Sequence, residues 1–413
     1  MHVEQLYLDL NAFFASVEQQ KDPSLRGYPV AVIPTATETT CCIAVSYEAK
    51  VFGIKTGTAV WRARELCPHI ALLPARHDVY VSYHQRIHDE VRRHVPEVAV
   101  CSIDEFTTTL GGRDRELPAA LELARRIKQG IRENIGLAIT SSIGLAPNRL
   151  LAKIAGDMQK PDGLTWILSG EIKEKLAPLA LEDLPGIGKG NLARLHRAGV
   201  NTVSALLDLD PRHARAIWRS VTGERFLRAL QGGTFIEPKT QRRQISHSQI
   251  LAPENRSRPK AHAVARVLLE KAARRMRRDG YCAGRVWTGF RDQSGVRRDA
   301  EARLPPTQSD RALLAVFDQL WQGIERYAEA DIKKVGISLS DLAALDTRQG
   351  DLFIDTRLDI ERRDERLARV VDTIKDRFGA SAIRYGASPT GLAAYTGGRI
   401  AFTRIPLPED CIQ

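Results

Sequence analysis

No stretch of this 413-residue chain approaches the roughly 18 consecutive apolar residues that span a bilayer. The first residues pass at once into an alternating pattern with acids, so no secretory leader is expected. Cysteine is scarce. The six cysteines, Cys41, Cys42, Cys67, Cys101, Cys282 and Cys411, show neither metal spacing nor a disulfide framework. A reducing cytoplasm is the expected compartment. Long repeats and low-complexity blocks are absent, which excludes a solenoid array. Acids are in deficit, 50 against 61 Lys and Arg, for a net charge of +11 and a pI of about 9.5. That balance points to a polyanionic partner. With 43% hydrophobic and 27% charged residues the chain reads as globular, and its length predicts two to four domains.

What is present is organised around Ser102-Ile103-Asp104-Glu105. An apolar approach, Val98 to Cys101, reads as a strand, and two acids in a row on a buried strand are costly. The cost is tolerated at a hairpin tip or around a cation. Asp9 ends another apolar strand, residues 3–10. Two strands that each end in carboxylate can lie side by side and build an oxygen-ligand site for a divalent metal. Cys101, beside the pair, reads as a small strand residue rather than a reactive thiol.

A helix begins directly after Asp9. Phe13 reads as core, and Phe14 either packs or lines the site. Tyr47 and Lys50, three apart, share a helical face that can hold phosphate. Helices are expected over Tyr80–His94, Leu117–Asn134 and Pro147–Asp157, with a strand over Leu137–Gly144, a turn at Lys160-Pro161-Asp162-Gly163 and a last strand over Leu164–Leu168. Strands and helices mixed in this way predict an α+β sheet with helices on one face. After 169 helices dominate. Pro185-Gly186-Ile187-Gly188-Lys189 is either an ordinary helical turn or a helix-hairpin-helix whose amides meet a DNA backbone. Residues 232–243 read as a linker ending in Arg242-Arg243. A β-α-β-β-α-β module of about 100 residues follows. Its first helix, Pro259–Asp279, carries Lys271, Arg274, Arg275, Arg277 and Arg278. Beyond 343 the only clear element is a helix over Leu358–Phe378.

These segments together resemble the Y-family DNA polymerases, the translesion enzymes, and the bacterial DinB branch in particular. The resemblance covers residues 3–342. It rests on Leu8-Asp9-Leu10-Asn11-Ala12-Phe13-Phe14-Ala15-Ser16-Val17-Glu18, Tyr47-Glu48-Ala49-Lys50, Phe52-Gly53-Ile54, Ser102-Ile103-Asp104-Glu105, Ser142-Ile143-Gly144 with Asn148 and Ala152-Lys153-Ile154-Ala155, Lys160-Pro161-Asp162-Gly163 and Pro185-Gly186-Ile187-Gly188, in that order. It implies a right-hand α+β multidomain polymerase without proofreading. The ferredoxin-like palm would take 1–12 and 78–168, small fingers 13–77, a helical thumb with the helix-hairpin-helix 169–231, and the little finger 244–342, with a tail over 343–413. It further implies that Asp9, Asp104, Glu105 and the Leu10 carbonyl hold two Mg²⁺ ions, for which Mn²⁺ can substitute. Phe14 would be the steric gate against ribonucleotides. Phe13, Tyr47, Lys50 and Lys160 would hold the dNTP. Gly186, Gly188, Lys189, Arg242, Arg243, Arg274 and Arg278 would grip primer–template DNA. Gln349, Leu352 and Phe353 resemble a peptide that docks on the sliding clamp. Monomeric behaviour is expected from the resemblance.

The chain departs from the family pattern in three places. Lys50 stands where Arg is usual, so a point charge replaces a bidentate contact. Ala44 stands where a phosphate-binding Thr is common. Phe106-Thr107-Thr108-Thr109-Leu110 replaces the usual Ala-Tyr-Leu-Asp after the acid pair. Two rival readings were weighed. A catalytically silent DNA-binding accessory subunit of a mutagenesis complex is opposed by retention of all three acids. A palm-fold nucleotidyl cyclase would lack the helix-hairpin-helix and the basic module.

Overall fold

The computed structural model describes residues 2–34, 38, 40–234, 242–345, 355–379, 382, 383 and 385. These divide into two compact units, 2–234 and 242–385. The peptide expected at Gln349–Phe353 and most of the expected linker lie outside the described residues.

The first unit is built on a five-stranded sheet. Gln5–Leu10 is its central strand, antiparallel to Glu105–Thr109 on one side and to Ser141–Ala146 on the other. The two-residue strand Ala99–Val100 forms one edge and Leu164–Trp166 the other. Leu6, Leu8 and Leu10 are buried, and Tyr7 is buried on the opposite face. The amphipathic helices His77–Arg92 and Leu117–Asn134 cover the first face through Tyr80, Ile87, Leu123, Ile127 and Ile131. Helix Arg149–Met158 covers the second, where Gly144 lets the backbone of Ala152 come close; an added Cβ would meet the Ala152 carbonyl at 1.9 Å. The approach to the acid pair is shorter than expected. It is an edge strand with Val100 43% exposed, and the acids straddle the end of the hairpin where solvent reaches them.

The same unit carries a smaller sheet with its own core, Val30–Ile33 flanked by Ala44–Val45 and Ala71–Pro74. The last of these strands was absent from the sequence reading, and its pairing with Val30–Ile33 is parallel and non-local. Helices Ile172–Leu176, Lys189–Arg197, Val203–Leu207, Pro211–Trp218 and Val221–Leu230 share a core with helix Arg149–Met158 of the large sheet. Asn148, the N-cap of that helix, donates to the carbonyls of Ala229 (2.7 Å) and Gly233 (2.9 Å), which ties the large sheet's helix to the end of the helical segment.

The second unit is the β-α-β-β-α-β module. Its sheet runs Arg297–Thr307, Tyr281–Asp292, Ile332–Ala344, Gln244–Ile250 across neighbours. Helices Arg258–Arg278 and Asp310–Glu325 bury Leu268, Leu269, Met276, Phe317 and Trp321 against one face. On the other face Lys334, Arg291 and Arg297 stand in register on three adjacent strands, all exposed. The tail contributes helix Asp355–Phe378, longer than expected at its start. It docks on the module through Ala368 and Val371, and through Arg277, which is 4% exposed and pairs with Asp310 at 2.8 Å and Asp372 at 2.6 Å.

Candidate active site

The central strand delivers Asp9 opposite Glu105 on one neighbour and Ser142 on the other. The Leu10 N–H donates to the Asp104 carbonyl at 2.8 Å, which fixes the hairpin end beside the strand end. Leu10, Asp9, Asp104 and Glu105 therefore converge from two antiparallel strands.

The chain then reverses at Ala12, a non-glycine residue in the left-handed region (φ 48°), before helix Phe13–Lys21. Asn11 is 2% exposed and holds this corner. Its amide donates to Ser142 Oγ at 3.0 Å, and its Oδ1 accepts from the Asp162 N–H at 2.8 Å and from Thr140 Oγ1 at 3.2 Å. Phe13 is buried in the core under the large sheet, 5.7 Å by centroid from Phe14. Phe14 is half-buried and stacks on Tyr80 at 4.3 Å, and Tyr80 in turn donates to buried Glu18 at 2.6 Å.

Around the acids lie three lysines. Lys160 Nζ is 2.9 Å from Asp9 and 2.8 Å from Asp157. Lys153 pairs with Glu105. Lys128 lies 2.9 Å from the Asp162 carboxylate and donates to the carbonyls of Ser141 (2.9 Å), Asp162 and Gly163 (3.1 Å), pinning the turn that carries Lys160. Tyr47 opens helix Tyr47–Lys50, and the Lys50 ammonium folds over its ring at 3.7 Å. Ser102 Oγ lies 2.5 Å from Asp104 Oδ1 and 3.0 Å from Glu105 Oε2, so its one proton serves either carboxylate in turn.

Burial pushes the Asp9 carboxyl up to about 6, against the pull of the Lys160 ammonium. Burial raises Asp104 as well; Ser102 opposes this and the Glu105 charge adds to it. Burial also opposes the charge on Glu105, but the Lys153 ammonium and the Ser102 hydroxyl outweigh it and hold Glu105 below its ordinary range. Two half-buried carboxylates that resist ionisation beside cations are a natural seat for a hard divalent ion. Among the described residues no three His, Cys, Asp or Glu side chains form a cage that could hold a metal ion. Mg²⁺ needs no such cage, because it binds through one or two carboxylates together with substrate phosphates and water.

The structure therefore brings together Asp9, Leu10, Asp104, Glu105 and Lys160, with Tyr47 and Lys50 within electrostatic reach of Asp9 and Lys160, while Phe14 stands on the helix that follows, against Tyr80. Gly186 (φ 98°), Gly188 and Lys189 lie exposed at the turn before helix Lys189–Arg197 and form no hydrogen bond or ion pair with the acids. Arg242 pairs with Asp279 and Arg274 with Asp376, on the helical side of the second unit, where Arg243 and Arg278 are exposed. The sequence reading missed Lys128, Lys153 and Asn11 as parts of the site. Lys153 had a signal, since it lies four residues before Asp157 on one helical face. Lys128 had none, because its contacts are made across the sheet.

Residues 8–157 match the impB/mucB/samB family and residues 242–352 its C-terminal domain. The chain is 36% identical to a DNA polymerase IV of Moorella thermoacetica over 95% of its length and 98% of the relative's. It is 29% identical to a DNA polymerase IV of Bacillus velezensis over 92% of each chain. Among solved structures, the Y-family DNA polymerase chimera Dbh-Dpo4(243-245)-Dbh superposes with a TM-score of 0.68 at 24% identity, over 83% of this chain and 99% of that one. DinB from Sulfolobus solfataricus gives 0.53 at 25% identity, over 82% and 98%. Y-family polymerases are divalent-metal-dependent as a class, and the family matches and the relatives' shared length place this chain among them: it belongs to the DinB-like Y-family DNA polymerases, the translesion polymerases.

Proposed function

We propose that this translesion DNA polymerase extends primers by two-metal-ion nucleotidyl transfer, with Asp9, Asp104, Glu105 and the Leu10 carbonyl holding two Mg²⁺ ions. The observation that carries this is the register of Asp9 opposite Glu105, with the Asp104 carbonyl bound to the Leu10 N–H. When bound, the ions would neutralise phosphate charge and acidify the primer hydroxyl. Lys160 exchanges Asp9 for the incoming triphosphate, beside Tyr47 and Lys50. Phe14 presents its ring to the sugar and Tyr80 backs it from behind; Phe13 anchors the same helix start in the core. Primer extension with Mg²⁺ on undamaged and abasic templates tests the reading. No extension, with DNA binding intact, rejects it.

DNA is held by its backbone, at the exposed thumb turn Gly186-Ile187-Gly188-Lys189 and on the open sheet face of the second unit. Lys334, Arg291 and Arg297 are like charges directly opposite one another on neighbouring strands, an arrangement that repels itself until an anion covers it. Arg242 and Arg274 already have acidic partners, so the phosphate track is assigned to this row. The tail peptide with Gln349, Leu352 and Phe353 is proposed to dock on the sliding clamp. Substituting Leu352 and Phe353 then lowers processivity only when clamp is present.

A further inference from the structure

The residue that departs most in size from the family pattern is Phe106, where the family usually has Ala. It follows Glu105 on the strand Glu105–Thr109, so its side chain points to the opposite face, into the core, where it is 1% exposed. There it lies flat against His84 of helix His77–Arg92, with centroids 5.0 Å apart and planes 15° apart. His88, one turn on, lies 6.4 Å from His84 and 6.1 Å from Phe106, so the three rings form a triangular cluster. The imidazole of His84 packs against both rings and is 3% exposed.

His84 Nδ1 lies 2.7 Å from the carbonyl oxygen of Ile103. A carbonyl only accepts, so Nδ1 carries the proton and donates. Ile103 is the residue before Asp104, and its side chain is 3% exposed. The turn Ser102-Ile103-Asp104-Glu105 is thus held from two directions. Leu10 N–H takes the Asp104 carbonyl, and His84 takes the Ile103 carbonyl. We propose that His84 is a positioning residue for the metal-binding acids, aimed at the Ile103 carbonyl by the Phe106 ring. The role rests on the two-metal reading above. It gives the departure at Phe106 a purpose, since a methyl group there could not hold the imidazole in one plane. Burial also keeps His84 below its ordinary pKa, so the ring stays neutral with its second nitrogen free of charge.

The test separates donation from packing. His84→Phe keeps a ring against Phe106 and removes the donor; His84→Asn supplies an N–H near the Nδ1 position without the ring. Mn²⁺ binding is followed by EPR on the full chain with primer–template and a non-reactive nucleotide, and single-turnover extension is measured alongside. His84→Phe is expected to weaken Mn²⁺ binding and lower kcat, each by about 10–100-fold, the usual scale for a group that orients a metal ligand. The dNTP KM is expected to stay within about threefold, and His84→Asn to recover most of both losses. Wild-type Mn²⁺ binding and kcat in His84→Phe overturn the proposal. Equal losses in both variants overturn it too, because restoring the donor would then have recovered nothing; a loss confined to His84→Asn would make packing the whole effect. Asp104→Ala is the control: if it binds Mn²⁺ like the wild type, the metal reading fails rather than the role of His84.

Discussion

The Lys160 ammonium sits 2.9 Å from the Asp9 carboxylate, so a residue assigned to substrate phosphate occupies a residue assigned to metal. In the free protein the lysine supplies the positive charge that Asp9 requires. When metal and triphosphate enter together, each cation gains a better partner. Lys160→Met is expected to raise the dNTP KM roughly tenfold and to lower kcat less. A fall in kcat alone would place Lys160 outside the triphosphate site.

Asp9 also sets a pH dependence of the metal-free protein. Its folded pKa of about 6 lies above its ordinary value of 3.8, so the folded state binds the extra proton and stability falls as pH rises from about 4 to 6. Asp9→Asn removes that loss. In chelator, the stability of Asp9→Asn relative to wild type is expected to grow by about 2–3 kcal/mol between pH 4 and pH 7 in urea titrations. A difference independent of pH would contradict the burial argument.

Asp104→Ala is expected to lower kcat by at least about 100-fold, as loss of a group that supports transition-state charge does, while DNA affinity stays near wild type. Retained activity would reject the ligand assignment.

Phe14→Ala opens the space beside the sugar. Discrimination against ribonucleotides is expected to fall roughly 10–200-fold, the worth of one substituent in a packed pocket. Unchanged sugar selectivity in single-nucleotide incorporation would sink the gate.

Arg291→Ala and Arg297→Ala are each expected to weaken DNA binding equally across sequences and to reduce the slope of log affinity against log salt by about 1. Arg274→Ala is expected to leave that slope unchanged, since its partner is Asp376. The reverse pattern would move the DNA face to the helices.

Much of this was legible before any coordinates. Apolar alternation ending in Asp9 and again near Asp104 marks two strands, and helix Leu117–Asn134 has the bounds its pattern predicts. Local rules cover such elements because their own residues decide them. Strand Ala71–Pro74 escaped because a parallel partner, Val30–Ile33, decides it. Lys128 and His84 escaped for a related reason. Each donates to backbone carbonyls far along the chain, and a carbonyl leaves no trace in the residue alphabet. The tail helix was visible, but not its docking, which depends on Arg277 meeting both Asp310 and Asp372.

The two hydrogen bonds from Asn148 to Ala229 and Gly233 bear on how the molecule can be taken apart. A chimera spliced at 169, where composition changes, would separate donor from acceptors and leave buried polar groups unmatched in both parents. A splice placed after Gly233 would carry the donor and both acceptors together. Residues 2–233 are one exchangeable cassette, and the boundary for recombination falls after Gly233, at the start of the expected linker, rather than at the composition change after 169.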